Sequence, residues 1–236
     1  MENYGYVDIY ATKGIEYLIV IAFLASFVYF SRAFSLRTVA AGVAQTISDI
    51  VEWFRLPAGF HYHPGHSWMK TEADNLVSVG LDDFAQKLVG KVDGVELPPV
   101  GAKLAQGEKA WSLKVDSRPV AMLSPVDGEV VAINTEAMRA PEILNQDPYG
   151  KGWLLKVRPA KLATDQRNLL SGTLARKWME DTVDGLRRES GGTLGPVAQD
   201  GGQLVYQDGG VPVSGIARAL AGEKWEATVK AHFLTE

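Results

Sequence analysis

Three histidines lie close together at His61, His63 and His66. Imidazole nitrogens bind zinc or copper, and a turn at Pro64-Gly65 would bring the three rings towards one another. No aspartate, glutamate or cysteine stands close enough in the sequence to complete a ligand set. A metal site built from these histidines is therefore a minor alternative, and we expect the chain to hold no metal.

A second candidate for chemistry is the pair Lys114 and Ser117, which stand between Trp111 and Pro125. A lysine amine can carry an acyl group through an amide bond, whereas a serine hydroxyl has no nitrogen with which to form one. The usual surface preference of lysine favours a solvated Lys114. No nucleophile–base pair, carboxylate pair or phosphate-binding loop accompanies them, so the sequence does not predict an enzyme.

The composition excludes several further classes of function. The chain has 236 residues, of which 46% are apolar and 22% charged, and its formal net charge is −4. This charge balance gives no reason to expect nucleic acid as a partner. The sequence contains no cysteine, which excludes disulfides, thiol catalysis and zinc–thiolate sites.

One segment near the N-terminus predicts a membrane helix. Residues 17–30 carry no charge, and with their flanks, residues 15–34, they reach the ~20 residues that a span needs. A buried core helix is the alternative. A signal peptide is not expected, because the residues before the segment lack its basic region. Arg32 and Arg37 follow the segment and a single Lys13 precedes it. The positive-inside rule then predicts a single-pass protein of the inner (cytoplasmic) membrane, with the N-terminus outside and the C-terminal domain cytoplasmic.

Helical patterns also flank a central β region. Apolar residues recur at helical spacing over residues 38–55, and this stripe is expected to contact a partner or the membrane. The same spacing returns over residues 164–188 and 212–233, with a glycine-rich connection at 191–210. The predicted domains are the tail and transmembrane helix (1–37), an amphipathic linker helix (38–59), a β-domain (60–160) and a C-terminal helical extension (161–236).

Within the β-domain, short strand patterns alternate with turn signals, which is typical of a sandwich or flattened barrel. Strands are predicted at residues 76–79, 121–123, 129–133 and 153–157. A short helix is predicted over residues 81–88, with Asp82 and Asp83 at its N-terminus. Gly128 is expected to occupy a tight turn with positive φ.

Four ordered blocks identify a resemblance. They are His66-Ser67-Trp68, residues 77–101 (VSVGLDDFAQKLVGKVDGVELPPVG), residues 124–134 (SPVDGEVVAIN) and residues 140–159 (APEILNQDPYGKGWLLKVRP). In order and spacing they resemble the H protein of the glycine cleavage system. The resemblance implies a mainly β, lipoyl-domain-like flattened barrel or barrel-sandwich hybrid, to which this chain adds the N-terminal transmembrane helix and the C-terminal helical extension.

The resemblance also implies where a lipoyl group would be attached. In that family a lysine lies at a hairpin tip, seven residues before a Ser-Pro pair. The pair here is Ser124-Pro125, and seven residues before it stands Ser117. We therefore expect no lipoyl group and no other cofactor, and Lys114 is the minor alternative for attachment.

Together these features favour a non-catalytic, non-lipoylated H-protein-like subunit, which acts as a scaffold or docking module in a membrane complex. Its expected partners are the bilayer, through residues 15–34, and the other subunits of a respiratory or electron-transfer complex. The alternative is a membrane-tethered lipoyl carrier of a glycine-cleavage-type system. A third interpretation makes the histidines a metal or haem contact for electron transfer.

Overall fold

The computed structural model describes residues 14, 17–30, 50–51, 53–189, 197–198, 204–205 and 214–235. The chain divides into two compact units, Met1–Ile47 and Ser48–Glu236. In the first unit, residues 17–30 form a helix (α1) whose large apolar side chains are all exposed. Within the described ranges, no helix combines the length and the apolar character needed to cross a membrane. The ends of the expected span lie outside those ranges, as does most of the helix expected over residues 38–55.

The end of that expected linker helix is a β-hairpin. Ile50–Val51 (β1) pairs antiparallel with Phe54–Arg55 (β2). Val51 and Phe54 are buried, and the Arg55 N–H donates to the Asp83 carboxylate at 2.8 Å. The apolar positions that suggested a helical face here are therefore core contacts of a hairpin.

Two antiparallel sheets share one hydrophobic core in the second unit, and this confirms the predicted mainly-β sandwich. The larger sheet has the strand order β3-β4-β5-β11-β10-β7, and the smaller has the order β6-β8-β9. The strands are His61–Tyr62 (β3), Ser67–Thr71 (β4), Val77–Leu81 (β5), Gly94–Glu96 (β6), Lys103–Leu104 (β7), Lys109–Val115 (β8), Arg118–Leu123 (β9), Gly128–Ile133 (β10) and Leu155–Pro159 (β11). A separate pair joins Val197–Ala198 (β12) to Leu204–Val205 (β13).

Helices surround the sheets. They are Asp83–Val89 (α2), Thr135–Arg139 (α3), Ile143–Gln146 (α4), Leu162–Arg167 (α5), Gly172–Glu189 (α6), Ile216–Ala221 (α7) and Trp225–Phe233 (α8). The predicted start of α2 is confirmed, because the Asp82 carboxylate accepts a hydrogen bond from the Ala85 N–H at 2.7 Å. An acceptor at this position satisfies one of the helix's unpaired backbone donors.

Two predicted long helices are each divided. The helix expected over residues 164–188 is α5 followed by α6, because Leu170 leaves the helix and exchanges two backbone hydrogen bonds with Tyr62 at 2.8 Å. The helix expected over residues 212–233 breaks at Gly222, whose φ is 54°. A single turn of 3-10 helix, Gly222–Lys224, joins α7 to α8. Of the glycine-rich connection, only the β12 and β13 residues are described.

Gly128 is required for a reason other than the predicted one. Gly128 does not have the positive φ that was predicted for it. It opens β10 and pairs with Pro159 of β11. A Cβ at this position would lie 2.7 Å from the Val157 side chain and closer still to the Arg158 carbonyl oxygen. The glycine therefore permits close strand approach.

Candidate functional site at the hairpin tip

The hairpin of β8 and β9 ends in the two-residue loop Asp116-Ser117. Val115 pairs with Arg118 across the loop. Both loop residues have positive φ, 47° for Asp116 and 64° for Ser117. These angles are typical of a type I′ turn, whose backbone twist matches the twist of the two strands that it joins. The loop therefore forms a compact tip.

The core fixes both strands of this hairpin. Trp111, Leu113 and Val115 alternate inwards on β8, and Val120 and Met122 do so on β9, each at most 4% exposed. This period-two pattern places the intervening side chains of β8 on the outer face. The tip is therefore held by a packed scaffold.

Ser117 is exposed at the tip, where the sequence analysis expects the attachment position. Its hydroxyl makes no hydrogen bond with any residue that the structure describes. A serine becomes a nucleophile when a neighbouring base withdraws its proton. Among the described residues no such base contacts Ser117, whose side chain is presented to solvent at the tip.

The residues on either side of Ser117 are tied to distant parts of the chain. The Asp116 N–H donates to the Asp93 carboxylate at 2.8 Å. The Asp116 side chain forms an ion pair with Arg218, and Arg118 lies 3.6 Å from the Glu226 carboxylate. Sequence reasoning missed Arg218 and Glu226, because they stand about a hundred residues from the tip and no local pattern links them to it.

Lys114, the alternative attachment residue, lies within β8 and not at the tip. It faces Gly94 of β6 and Pro119 of β9 in the two ladders. Its amine lies 3.3 Å from the Glu96 carboxylate, which also accepts from the Ser112 hydroxyl at 3.1 Å. The hydrogen bonds from Lys114 and Ser112 lower the pKa of Glu96. Lys114 is thus engaged in a strand-to-strand ion pair.

The three histidines of the sequence motif occupy separate structural positions. His66 is buried, and its Nδ1 lies 2.8 Å from the buried Asp82 carboxylate. The His63 Nδ1 accepts from the Gly65 N–H at 3.0 Å, and His61 belongs to the edge strand β3. Burial lowers the pKa of both His61 and His63. Across the described ranges, no group of three or more metal-binding side chains forms.

Comparison with known proteins places this hairpin in a wider context. A family model described as "Glycine cleavage H-protein" matches residues 60–182. The glycine cleavage system H protein of Neisseria meningitidis (serogroup A) is 42% identical over 108 residues, which cover 46% of this chain and 84% of that protein. The corresponding Mycobacterium avium protein is 40% identical over 108 residues, with coverage of 46% and 82%. A crystal structure of the Mycobacterium marinum H protein aligns with a TM-score of 0.46 and 26% identity, covering 54% of this chain and 98% of that one.

Proposed function

This chain belongs to the glycine cleavage H-protein family, and on that premise we propose that it is a member without a lipoyl group, serving as a non-catalytic scaffold or docking subunit of a membrane complex. The observation that carries the proposal is Ser117 at the hairpin tip. The family resemblance assigns the lipoyl lysine to this position. The β-domain of a lipoyl carrier is retained, and Ser117 replaces the lysine to which the lipoyl group would be attached.

The residues of the tip do not fit a lipoyl group. A lipoyl amide forms between a carboxyl carbon and an amine nitrogen, and Ser117 offers only a hydroxyl oxygen. The nearest amine along β8 is that of Lys114, which is paired with Glu96 inside the strand ladder. A swinging group attached there would first have to break this ion pair, and it would begin three residues from the tip.

The membrane part of the proposal rests on residues 15–34. Every large apolar side chain of α1 is exposed, with exposed fractions from 52% at Val20 to 78% at Tyr29. A helix that is apolar on all sides is stable in a protein core or in a bilayer, whereas its exposure to water is unfavourable. We place this segment in the inner membrane, with the N-terminus outside and residues 48–236 in the cytoplasm, where other subunits of the complex would contact them.

A second candidate is a membrane-tethered lipoyl carrier. It is favoured by the relatives, since those at 40–42% identity are glycine cleavage system H proteins. In that case Lys114 would have to carry the group, because the other side chains of the tip, those of Asp116, Ser117 and Arg118, have no primary amine. The two candidates therefore differ in one measurable property, the covalent mass of the chain.

The test restores the amine at the tip. Full-length protein would be expressed in cells that make lipoate and contain a lipoyl ligase, then analysed by intact-mass and peptide mass spectrometry. We expect wild-type protein without a lipoyl group and a Ser117→Lys variant with one, because the β8–β9 scaffold already presents position 117 in an exposed turn. Ser117→Arg is the matched control, since it adds the charge without a primary amine.

Each result bears on the proposal. A lipoyl mass on the wild-type chain that disappears in Lys114→Arg would establish the second candidate and remove the first. A Ser117→Lys chain that stays unmodified would contradict the claim that this one side chain separates the protein from lipoyl carriers.

A further inference from the structure

The C-terminal residues 214–235 form a strap, here called the C-terminal strap, which packs on α2 and β9. The Gly215 N–H donates to the Lys87 carbonyl at 2.8 Å. Along α8, Trp225, Val229 and Phe233 repeat every four residues and are at most 4% exposed. The strap is therefore an amphipathic segment that buries one face against the β-domain.

The strap lies outside the part of the chain that the family shares. The family model ends at residue 182, and the strap begins at residue 214. The match to the family model spans both sheets and does not include the strap. Detachment of the strap is therefore compatible with a folded β-domain, which makes the docking of the two a separate equilibrium.

One end of the strap is held at the hairpin tip by charges. Arg218 pairs with Asp116, and Glu226 lies 3.6 Å from Arg118. In the Arg118–Glu226 pair the side chains are 50% and 33% exposed. Ion pairs in contact with water contribute little to stability. These contacts orient the strap, and most of its hold must come from the buried end.

The other end of the strap is buried around His232. The His232 ring lies 5.3 Å from the Phe84 ring and 6.5 Å from the His66 ring, between centroids. Its side chain is only 13% exposed. The neighbouring Phe233 carbonyl oxygen would come within 2.8 Å of any Cβ placed on Gly65, so the strap lies directly against the backbone there.

His66 and Glu189 lie beside this ring, and Asp82 and His63 interact in turn with His66. From the β-domain come His66, which is bonded to Asp82 at 2.8 Å, and His63, whose pKa is lowered in part by His66. From the end of α6 comes the Glu189 carboxylate, 3.5 Å from the His232 Nε2. Burial among apolar side chains, and then the neighbouring His66, lower the pKa of His232, whereas Glu189 raises it.

We infer that the C-terminal strap is a pH-sensitive latch, which docks on the β-domain while His232 is neutral and detaches when His232 is protonated in mildly acidic solution. Its detachment would uncover the rings of His66 and Phe84, which α8 now contacts. It would also release Arg118 and Asp116 on both sides of Ser117.

The direction of the effect follows from the shift in acidity. Burial, and then the electrostatic interaction with His66, lower the pKa of His232 in the docked strap, and Glu189 opposes them only in part. The detached strap therefore binds a proton more readily than the docked one. The equilibrium constant for docking of the strap has its full value above the ordinary histidine pKa of ~6.5. It falls about tenfold for each pH unit below that value, until the docked ring is itself protonated.

Hydrogen exchange on the full chain in detergent tests this directly. Exchange would be followed between pH ~7.5 and ~5.5, which bracket the ordinary histidine pKa, and corrected for the intrinsic pH dependence of amide exchange. We expect peptides from residues 214–235 to lose protection as pH falls, while peptides from residues 77–133 keep theirs. His232→Gln should abolish this loss of protection at low pH, and His63→Gln, the matched control, should leave it in place. His232→Phe keeps a ring at the position if the glutamine variant fails to dock.

Three results would overturn the latch. The first is a wild-type strap whose protection does not change with pH. The second is loss of protection in the strap and in residues 77–133 together, which would indicate general acid unfolding. The third is a pH-dependent loss of strap protection that persists in both His232 variants, which would show that protonation of another group causes it.

Discussion

At the scale of single residues, two small side chains, those of Ser117 and Gly128, decide what the β-domain can carry and how its strands pack. Ser117 lacks the nitrogen on which an acyl group could be carried, although its turn presents the side chain to solvent. Gly128 lacks the Cβ that would collide with β11. The sequence identified both positions, but it assigned Gly128 to a tight turn, because the approach of Arg158 depends on a strand thirty residues away.

A Cβ at Gly128 is the sharpest residue-level prediction about the fold. Gly128→Ala should lower the free energy of unfolding by about 1–3 kcal/mol, because the added methyl group meets the Arg158 carbonyl and the Val157 side chain in a packed sheet. Gly185→Ala in α6 is the control, since nothing lies within 4 Å of its Cβ, and it should raise stability by about 0.5–1 kcal/mol. Denaturant unfolding followed by circular dichroism measures both. Equal effects of the two changes would refute the strand-approach account.

At the scale of elements, local signals were interpreted correctly and long-range contacts were not. Asp82 stands just before an apolar run, and such a signal lies entirely within its own helix. The division between α5 and α6 depends on Leu170 pairing with Tyr62, more than a hundred residues earlier. The apolar spacing that suggested a helix at residues 50–55 was equally compatible with two short buried strands.

Asp82 connects two elements, and its replacement tests that connection. Its carboxylate caps α2 through the Ala85 N–H and also bonds the buried His66 ring. Asp82→Ala should cost about 2–4 kcal/mol, the sum of a lost cap and a buried polar partner left unpaired. Asp82→Asn keeps a capping oxygen and should cost clearly less. Thermal and denaturant unfolding give the comparison, and an alanine variant as stable as wild type would show that neither bond contributes.

At the scale of the whole molecule, a family domain carries additions on both sides. The matched residues 60–182 contain both sheets, and blocks of sequence distributed along them made this region predictable. The unit Met1–Ile47 precedes the domain, and the strap follows it. Neither addition follows from the family pattern, so their roles have to be inferred from apolar surface and charge.

Removing the first unit separates its role from that of the domain. A fragment of residues 48–236 should keep the unfolding midpoint of the full chain, because the sheets and their core lie within that unit. The full chain, tagged at its C-terminus, should resist carbonate extraction from membranes and migrate on native gels in an assembly larger than itself. The fragment should be found in the soluble fraction, since it lacks the apolar residues 15–34. If the full chain is extracted by carbonate, or is monomeric in mild detergent, the proposed membrane scaffold is wrong. Proteins that co-purify with the tagged full chain would be its partners.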